Sequence, residues 1–334
     1  MLDQSDLIDL QKSNSVDHFL MIRKLELRNT KAGKDYLSLE LGDKSGSLSA
    51  NVWSDTKGFD KISNKGDVGM VVKVLGTIEE YQGNSQLKIK SIRLTEIKDG
   101  VNPQDFLPKS IRNPDEMEEE LLSRIKMISD DYLRELLTNV FKDDRLEKFK
   151  KAPAGKSWHH ANIHGLIEHT LEMIRICDLM CDIHFELNRD LLITGTMLHD
   201  FGKTEELSYD SAFEYSDKGK LIGHIVICAS MIEAEAKQIP GFPEELKNLV
   251  IHLVLSHQGK LEYASPVIPK TLEAIALYQA DELSAKVNAY KSTLKSEKSI
   301  RGNWTKFIHL AQTDLYKHEE PDELNEETKE SLFD

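Results

Sequence analysis

The chain has 334 residues, 40% hydrophobic and 30% charged, with 43 Lys+Arg against 57 Asp+Glu for a formal net charge of -14. This is ordinary globular usage, and the length suits two hydrophobic cores. The acidic balance argues against tight, salt-driven binding along duplex DNA, though not against holding a short single strand. No apolar run approaches membrane-spanning length, and Met1-Leu2-Asp3-Gln4-Ser5-Asp6 lacks the basic start of a signal peptide. The three cysteines, Cys177, Cys181 and Cys228, form no CxxC and cannot all pair, so a cytoplasmic protein with no membrane partner is expected.

The first hundred residues are electrically neutral, so the whole deficit lies beyond them. Leu37, Leu39 and Leu41 alternate with Tyr36, Ser38 and Glu40. Leu48, Ala50 and Val52 alternate with Ser47, Ser49, Asn51 and Trp53, again the two-residue period of a strand with one buried face. Asp43-Lys44-Ser45-Gly46 between them reads as a hairpin turn. With 19–28, 68–78 and 86–95, five strands are predicted within a β-domain over 1–98. That number suits an OB barrel and other small barrels equally. Trp53 falls on the polar side of its strand. With Tyr36, and with Arg23, Lys73, Lys88 and Lys90, it offers a stacking and phosphate-tracking surface for a single strand. The alternative is that Trp53 caps the barrel or meets the second domain.

Pro103, Pro108 and Pro114 mark a linker over 99–114. Asn113 then makes an N-cap, with Pro114 at the first helical position and Asp115 and Glu116 in the first turn. Helical spacing over 115–150 predicts a buttress for the following domain or a subunit interface, which is compatible with a homo-oligomer.

From 151 to 314 the pattern is helical, and polar residues recur on apolar stripes. His169 lines up with Leu166, Met173, Ile176 and Met180; His257 follows Leu246, Val250 and Leu253; Asp281 shares a stripe with Ala274, Leu277 and Ala285. His224 is placed between Leu221 and Cys228 on one helix. The segment Leu198-His199-Asp200-Phe201-Gly202-Lys203 is read as a helix end, where Gly202 accepts a left-handed stop and the last turn fans His199 and Asp200 around a cation. Lys203 is placed to meet an anionic substrate. Any one of these histidines alone is better explained as a hydrogen-bonded core imidazole. An ordered set of imidazoles and carboxylates on the inner faces of separate helices is what a divalent-metal site requires. His18, His184, His309 and His318 lie in polar surroundings and read as solvated, His252 falls on a polar stripe, and 315–334 reads as a solvated acidic tail with eight acidic residues against two lysines.

The order His169, His199-Asp200, His224, His257, Asp281 resembles the HD-domain metal-dependent phosphohydrolases, in the variant that holds two metals. The stretches Ala152-Pro153-Ala154, His159-His160-Ala161-Asn162, Gly165-Leu166-Ile167-Glu168-His169-Thr170, Ser256-His257 and Ser265-Pro266-Val267-Ile268-Pro269 are similar to the YhaM family of 3′ to 5′ exoribonucleases. The resemblance covers nearly the whole chain. It implies a multidomain α+β protein, an N-terminal five-stranded OB-like barrel followed by an all-α HD bundle. It departs from the family pattern at Gln258, where a second histidine is usual, at His164, usually glycine, and at Ser284, usually acidic.

The ligand set suits manganese, with cobalt, iron or nickel as other candidates, and the absence of thiolates counts against structural zinc. His169, His199, Asp200 and Asp281 are assigned to a first ion, and Asp200 bridges to a second completed by His224 and His257. Two ions about 3.5 to 4 Å apart can clamp the attacking and leaving oxygens of an in-line displacement. Asp200 and Lys203 are the catalytic candidates; His160, Asn162, Lys203, Trp53 and Tyr36 are the substrate-binding ones, His160 and Asn162 on the resemblance alone. A single ion, with His224 and His257 on the substrate, is the simpler alternative. The expected reaction is release of nucleoside 5′-monophosphates from the 3′ end of single-stranded RNA, with single-stranded DNA as a second substrate. An HD-type nucleotide or cyclic-dinucleotide phosphohydrolase, and a non-catalytic RNA-binding scaffold, are the rivals.

Overall fold

The alternating segments become β1 (Ser15–Asn29), β2 (Asp35–Gly42), β3 (Ser47–Trp53), β4 (Val71–Tyr81) and β5 (Asn84–Leu94) in a computed structural model that describes residues 4–30, 33–81, 84–297, 302–309 and 311–318. Most of the acidic tail lies outside the described residues. The strands close into a barrel in the order β1-β2-β3-β5-β4, antiparallel throughout except where β3 runs parallel to β5. Closure leaves no open sheet edge. Leu37, Leu39, Leu41, Ala50 and Val52 point inward and are buried, as their period dictates. The Asp43 turn forms as expected: Asp43 N–H donates to the Gly46 carbonyl at 3.0 Å, and its side chain accepts from Ser45 N–H at 2.8 Å.

β1 starts four residues before its apolar run because it serves two neighbours, β4 with its first half and β2 with its second. One element was not legible in advance. Helix α1 (Phe59–Lys65) plugs the barrel with Phe59 and Ile62, and its 7 residues are too few to display a helical period. His18, read as solvated, is instead 6% exposed, with Nε2 beside the Ser5 carbonyl at 3.1 Å. His184, His309 and His318 are exposed.

The proline-marked segment is a packed seam. Phe106 and Leu107 are buried in a cluster with Met21 and Val71 of the barrel and Ile163 of the helical half, flanked by Phe19, Tyr209 and Phe213. Its backbone is tied down as well: Ile163 N–H donates to the Pro108 carbonyl at 2.8 Å, and Ser110 N–H donates to the Ile163 carbonyl at 2.9 Å. The seam therefore joins the barrel to the loop that precedes the first histidine helix.

Beyond it run α2 (Pro114–Lys126), α3 (Asp131–Val140), α4 (Asp143–Lys151), α5 (Gly165–Ile183), α6 (Arg189–Leu198), α7 (Lys203–Glu206), α8 (Asp217–Ile222), α9 (His224–Ala236), α10 (Glu244–Ser256) and α11 (Leu272–Ser296), with a short hairpin β6–β7 (Leu207–Ser208, Glu214–Tyr215) after α7. Asn113 caps α2 by accepting from Asp115 N–H at 2.9 Å, with Pro114 at the first position. Met117, Leu121 and Ile125 of α2 and Leu133, Leu136 and Leu137 of α3 share one core with Leu166, Met173, Leu192, Leu198, Val250, Leu253 and Leu277. Helices α2 and α3 thus share the core that carries the histidines. No helix among the described residues is long and apolar enough to cross a membrane.

Candidate metal centre

Each proposed ligand sits where a helix end or an inner helix face can present it. His169 lies in the first half of α5, fully buried. His199 caps α6 and Asp200 follows it, with the chain continuing into α7 through tight turns: Phe201 N–H donates to the Leu198 carbonyl at 3.0 Å and Lys203 N–H to the Asp200 carbonyl at 2.9 Å. Here the expectation of a left-handed stop at Gly202 fails, since its backbone is right-handed at φ -60°. Glycine is required for space: a Cβ there would lie 2.1 Å from the His224 carbonyl oxygen. His224 is likewise not on a helix with Leu221. Gly223, at φ 79° and ψ 150°, breaks the chain between α8 and α9, so that His224 opens α9 while Leu221 stays exposed. His257 caps the C-terminal end of α10, and Asp281 faces inward from α11.

These six side chains converge. Ligand atoms of His169, His199 and Asp200 lie within 4.8 Å of one another, as do those of Asp200, His224 and His257, so Asp200 is common to both groups. A third triad, His159, His169 and Asp281, shares His169. Asp200 Oδ2 is 3.2 Å from His199 Nε2, and its Oδ1 is 3.4 Å from His224 Nε2 and 3.5 Å from His257 Nε2.

The tautomers decide what those distances mean. His199 Nδ1 is 2.8 Å from the Thr196 carbonyl, His257 Nδ1 is 2.7 Å from the Val254 carbonyl, and His224 Nδ1 is 2.9 Å from the Glu206 carboxylate. Each partner can only accept, which puts the proton of a neutral ring on Nδ1 and the lone pair on Nε2. His169 follows suit, with Nδ1 3.0 Å from Ser284 Oγ, whose own proton goes to Glu172 Oε2 at 2.9 Å. Four lone pairs therefore point at carboxylate oxygens, an arrangement that repels itself unless a proton or a cation lies between. His199 Nε2, His224 Nε2 and Asp200 Oδ1 have no hydrogen-bond partner despite their burial. Orphaned acceptors of this kind fit a divalent cation. His257 Nε2 is met by the Gln258 amide at 2.9 Å, a contact that ligation there would displace.

Electrostatics agree with the geometry. Burial opposes charge on Asp200, but Lys203 and His199 hold its carboxyl well below the usual carboxylate range. Burial likewise disfavours the His199 imidazolium, yet Asp200 outweighs it and holds that ring above the usual histidine range. Burial pushes His169, His257 and His159 down. Lys203 is committed rather than open to solvent: 7% exposed, it donates to Asp200 Oδ2 at 2.6 Å and to the Ala154 carbonyl at 2.5 Å.

The substrate-side candidates are spread out. His160 is buried, with Nε2 3.3 Å from Glu172 Oε2. Asn162, with its amide turned to satisfy both neighbours, donates to the His160 carbonyl at 2.9 Å and accepts from Ser110 N–H at 3.0 Å, a loop-fixing role. Tyr36 and Trp53 are cross-strand partners with ring centroids 5.1 Å apart, and Trp53 is 43% exposed. Of the basic residues grouped with them, Arg23 donates to the Asp43 carbonyl at the other end of β2, Lys73 lies 4.3 Å from the Phe19 ring centroid, and Lys88 pairs with Glu79 at 2.7 Å. Arg23 is thus held away from Trp53, whereas Lys88 lies opposite Asn51, two residues before Trp53 on β3. His252 receives Lys270 N–H at 3.0 Å, and His164 binds the Lys150 carbonyl at 2.6 Å from a left-handed backbone, φ 69°. That φ accounts for glycine being usual at 164.

Sequence reasoning missed His159, Glu206 and Glu172. His159 sits on an irregular loop with no period to expose it, and neither of its nitrogens has a hydrogen-bond partner. Glu206 reads as one more acidic residue until the fold brings it to His224.

A closed five-stranded barrel joined to a helical bundle with a buried histidine–aspartate centre is the architecture of an OB-fold fused to an HD-type phosphohydrolase. The family model described as HD domain matches residues 166–286, and that described as OB-fold nucleic acid binding domain matches residues 22–95. The chain is 37% identical over 295 residues to the 3'-5' exoribonuclease YhaM of Listeria innocua serovar 6a, covering 87% of this chain and 92% of that protein. It is 32% identical over 303 residues to the enzyme of the same name from Bacillus subtilis (strain 168), covering 90% and 94%. The chain belongs to the YhaM family of 3′ to 5′ exoribonucleases.

Proposed function

We propose that this protein removes nucleoside 5′-monophosphates from the 3′ end of single-stranded RNA, using two divalent ions, with manganese the preferred metal. The observation that carries the reading is the buried Asp200 carboxylate faced by the Nε2 atoms of His199, His224 and His257. His169, His199, Asp200 and Asp281 would hold one ion; Asp200, His224 and His257 the other, with His159 available to the first. The ions would supply Lewis-acid activation of the phosphodiester and of the attacking water.

The chain's own part is to hold that arrangement. Thr196, Val254, Glu206 and Ser284 fix the four imidazoles by their Nδ1 atoms, so each ring would meet an ion with little further loss of rotational freedom. Lys203 orients Asp200 and balances part of its charge, a positioning role through the carboxylate. The barrel, with the exposed Trp53 beside the half-buried Tyr36, would guide the strand, base by base, without regard to sequence.

The test is an incubation of metal-stripped protein with 5′-labelled single-stranded RNA, with and without manganese. A manganese-dependent ladder shortening from the 3′ end with release of mononucleotides is expected. Asp200→Ala should reduce cleavage to background and abolish tight metal binding while RNA affinity stays close to wild type. An intact strand, or normal cleavage by Asp200→Ala, would overturn the assignment.

A further inference from the structure

One more group of ligand-type side chains converges beside the Asp200 set. His160, Glu168 and Glu172 present atoms that all lie within 4.8 Å of one another. Glu168 and Glu172 stand one turn apart on α5, where two like charges repel each other. A cation between them reverses the sign of that interaction.

His160 supplies an independent observation. It is 3% exposed, and neither of its ring nitrogens makes a hydrogen bond of acceptable geometry. The Glu172 oxygen 3.3 Å from its Nε2 already accepts from Ser284 Oγ at 2.9 Å. A histidine that merely filled core space would normally be satisfied. Its backbone is also held in a place it would not choose, at φ 41°, in the left-handed region. Three contacts fix it there: its N–H donates to Asn288 Oδ1 at 2.8 Å, and its carbonyl accepts from Ala154 N–H at 3.1 Å and from Asn162 N–H at 2.8 Å. Gly165 allows the close approach, since a Cβ there would lie 2.0 Å from the His160 oxygen. Backbone strain maintained from several sides places a side chain where function needs it.

We infer that His160, Glu168 and Glu172 bind a further divalent cation, separate from the ions at Asp200. Two carboxylates and one imidazole suit manganese or magnesium. The Glu172 side chain is 41% exposed, so this cation keeps water ligands and binds more weakly than those in the buried set. The His160 and His169 ring centroids are 5.2 Å apart, which puts the site at the edge of the metal centre. There the cation would neutralise a phosphate next to the one being cleaved; that role, though not the binding, rests on the proposed function.

The full chain, stripped of metal, is dialysed against graded manganese, and bound metal is counted by mass spectrometry. Glu168→Gln/Glu172→Gln should bind one equivalent fewer than wild type, losing the weaker class alone, and His160→Gln should reproduce that loss. Glu168→Gln by itself changes a side chain with no hydrogen bond to the Asp200 set and should weaken the same class. Equal stoichiometry and affinity in wild type and all three variants, each with a wild-type melting temperature, would overturn the inference. Asp200→Ala separates the two claims: it should abolish the tight class and leave the weak equivalent. Retention of the tight class by Asp200→Ala would count against the proposed function without touching this one.

Discussion

Replacing Lys203 by methionine isolates what its charge does. Its Nζ donates to Asp200 Oδ2 at 2.6 Å, and Asp200 is 2% exposed, so the variant leaves a buried carboxylate short of its main counter-charge. Methionine keeps most of the stem volume, which leaves electrostatics as the principal change. Removing one partner of a buried pair costs about 3 to 5 kcal/mol. At roughly 2 to 4 °C per kcal/mol for a domain of this size, the metal-free protein should melt about 6 to 20 °C lower. Asp200 ionises well below the usual carboxylate range in the wild type. Its pKa moves up in the variant, so the deficit should be largest above the ordinary carboxylate range and shrink as pH falls through it. Divalent metal supplies the missing charge, so manganese should raise the melting temperature of the variant by more than that of the wild type. Differential scanning calorimetry on chelated and reloaded protein reads both effects. A metal-free variant that melts within about 2 °C of wild type, below the smallest shift expected, would refute the claim that Lys203 serves Asp200.

Three further outcomes are expected. Glu206→Gln loosens the anchor on His224 Nδ1 and should weaken manganese binding by about 10- to 100-fold, read by isothermal titration, with RNA affinity unchanged. Trp53→Ala removes the exposed member of the ring pair and should cost roughly 1 to 3 kcal/mol of RNA binding, about 5- to 150-fold in Kd, at constant metal content. Because Asp200 holds His199 above the usual histidine range, metal loading should release that proton and manganese affinity should rise with pH. His169 and His257, already kept neutral by burial, add no such competition, and an affinity that stays flat between about pH 6 and about pH 8 would contradict this account.

Much of the site was legible because periodicity reports burial. His169, His257 and Asp281 announced themselves as polar residues on apolar stripes, and each is buried where its stripe placed it. The strand alternation around Leu37 to Val52 worked for the same reason. His224 was found through the ordered series, although its stripe with Leu221 does not exist. A pattern of residue types cannot anticipate that Gly223 breaks the helix.

The sequence carried the barrel strands and the inward faces that hold His169, His257 and Asp281, because those depend on local period, and the ordered series of residue types picked out His199, Asp200 and His224. Tertiary structure decided the rest. It brought His159 and Glu206 to the centre, committed Lys203 to Asp200, packed the proline-rich segment into a seam, and held Arg23 at the Asp43 turn, away from Trp53. Each of these depends on which atoms meet across tens of residues. That information lies in the packing of helix on helix and loop on barrel, and no local period encodes it.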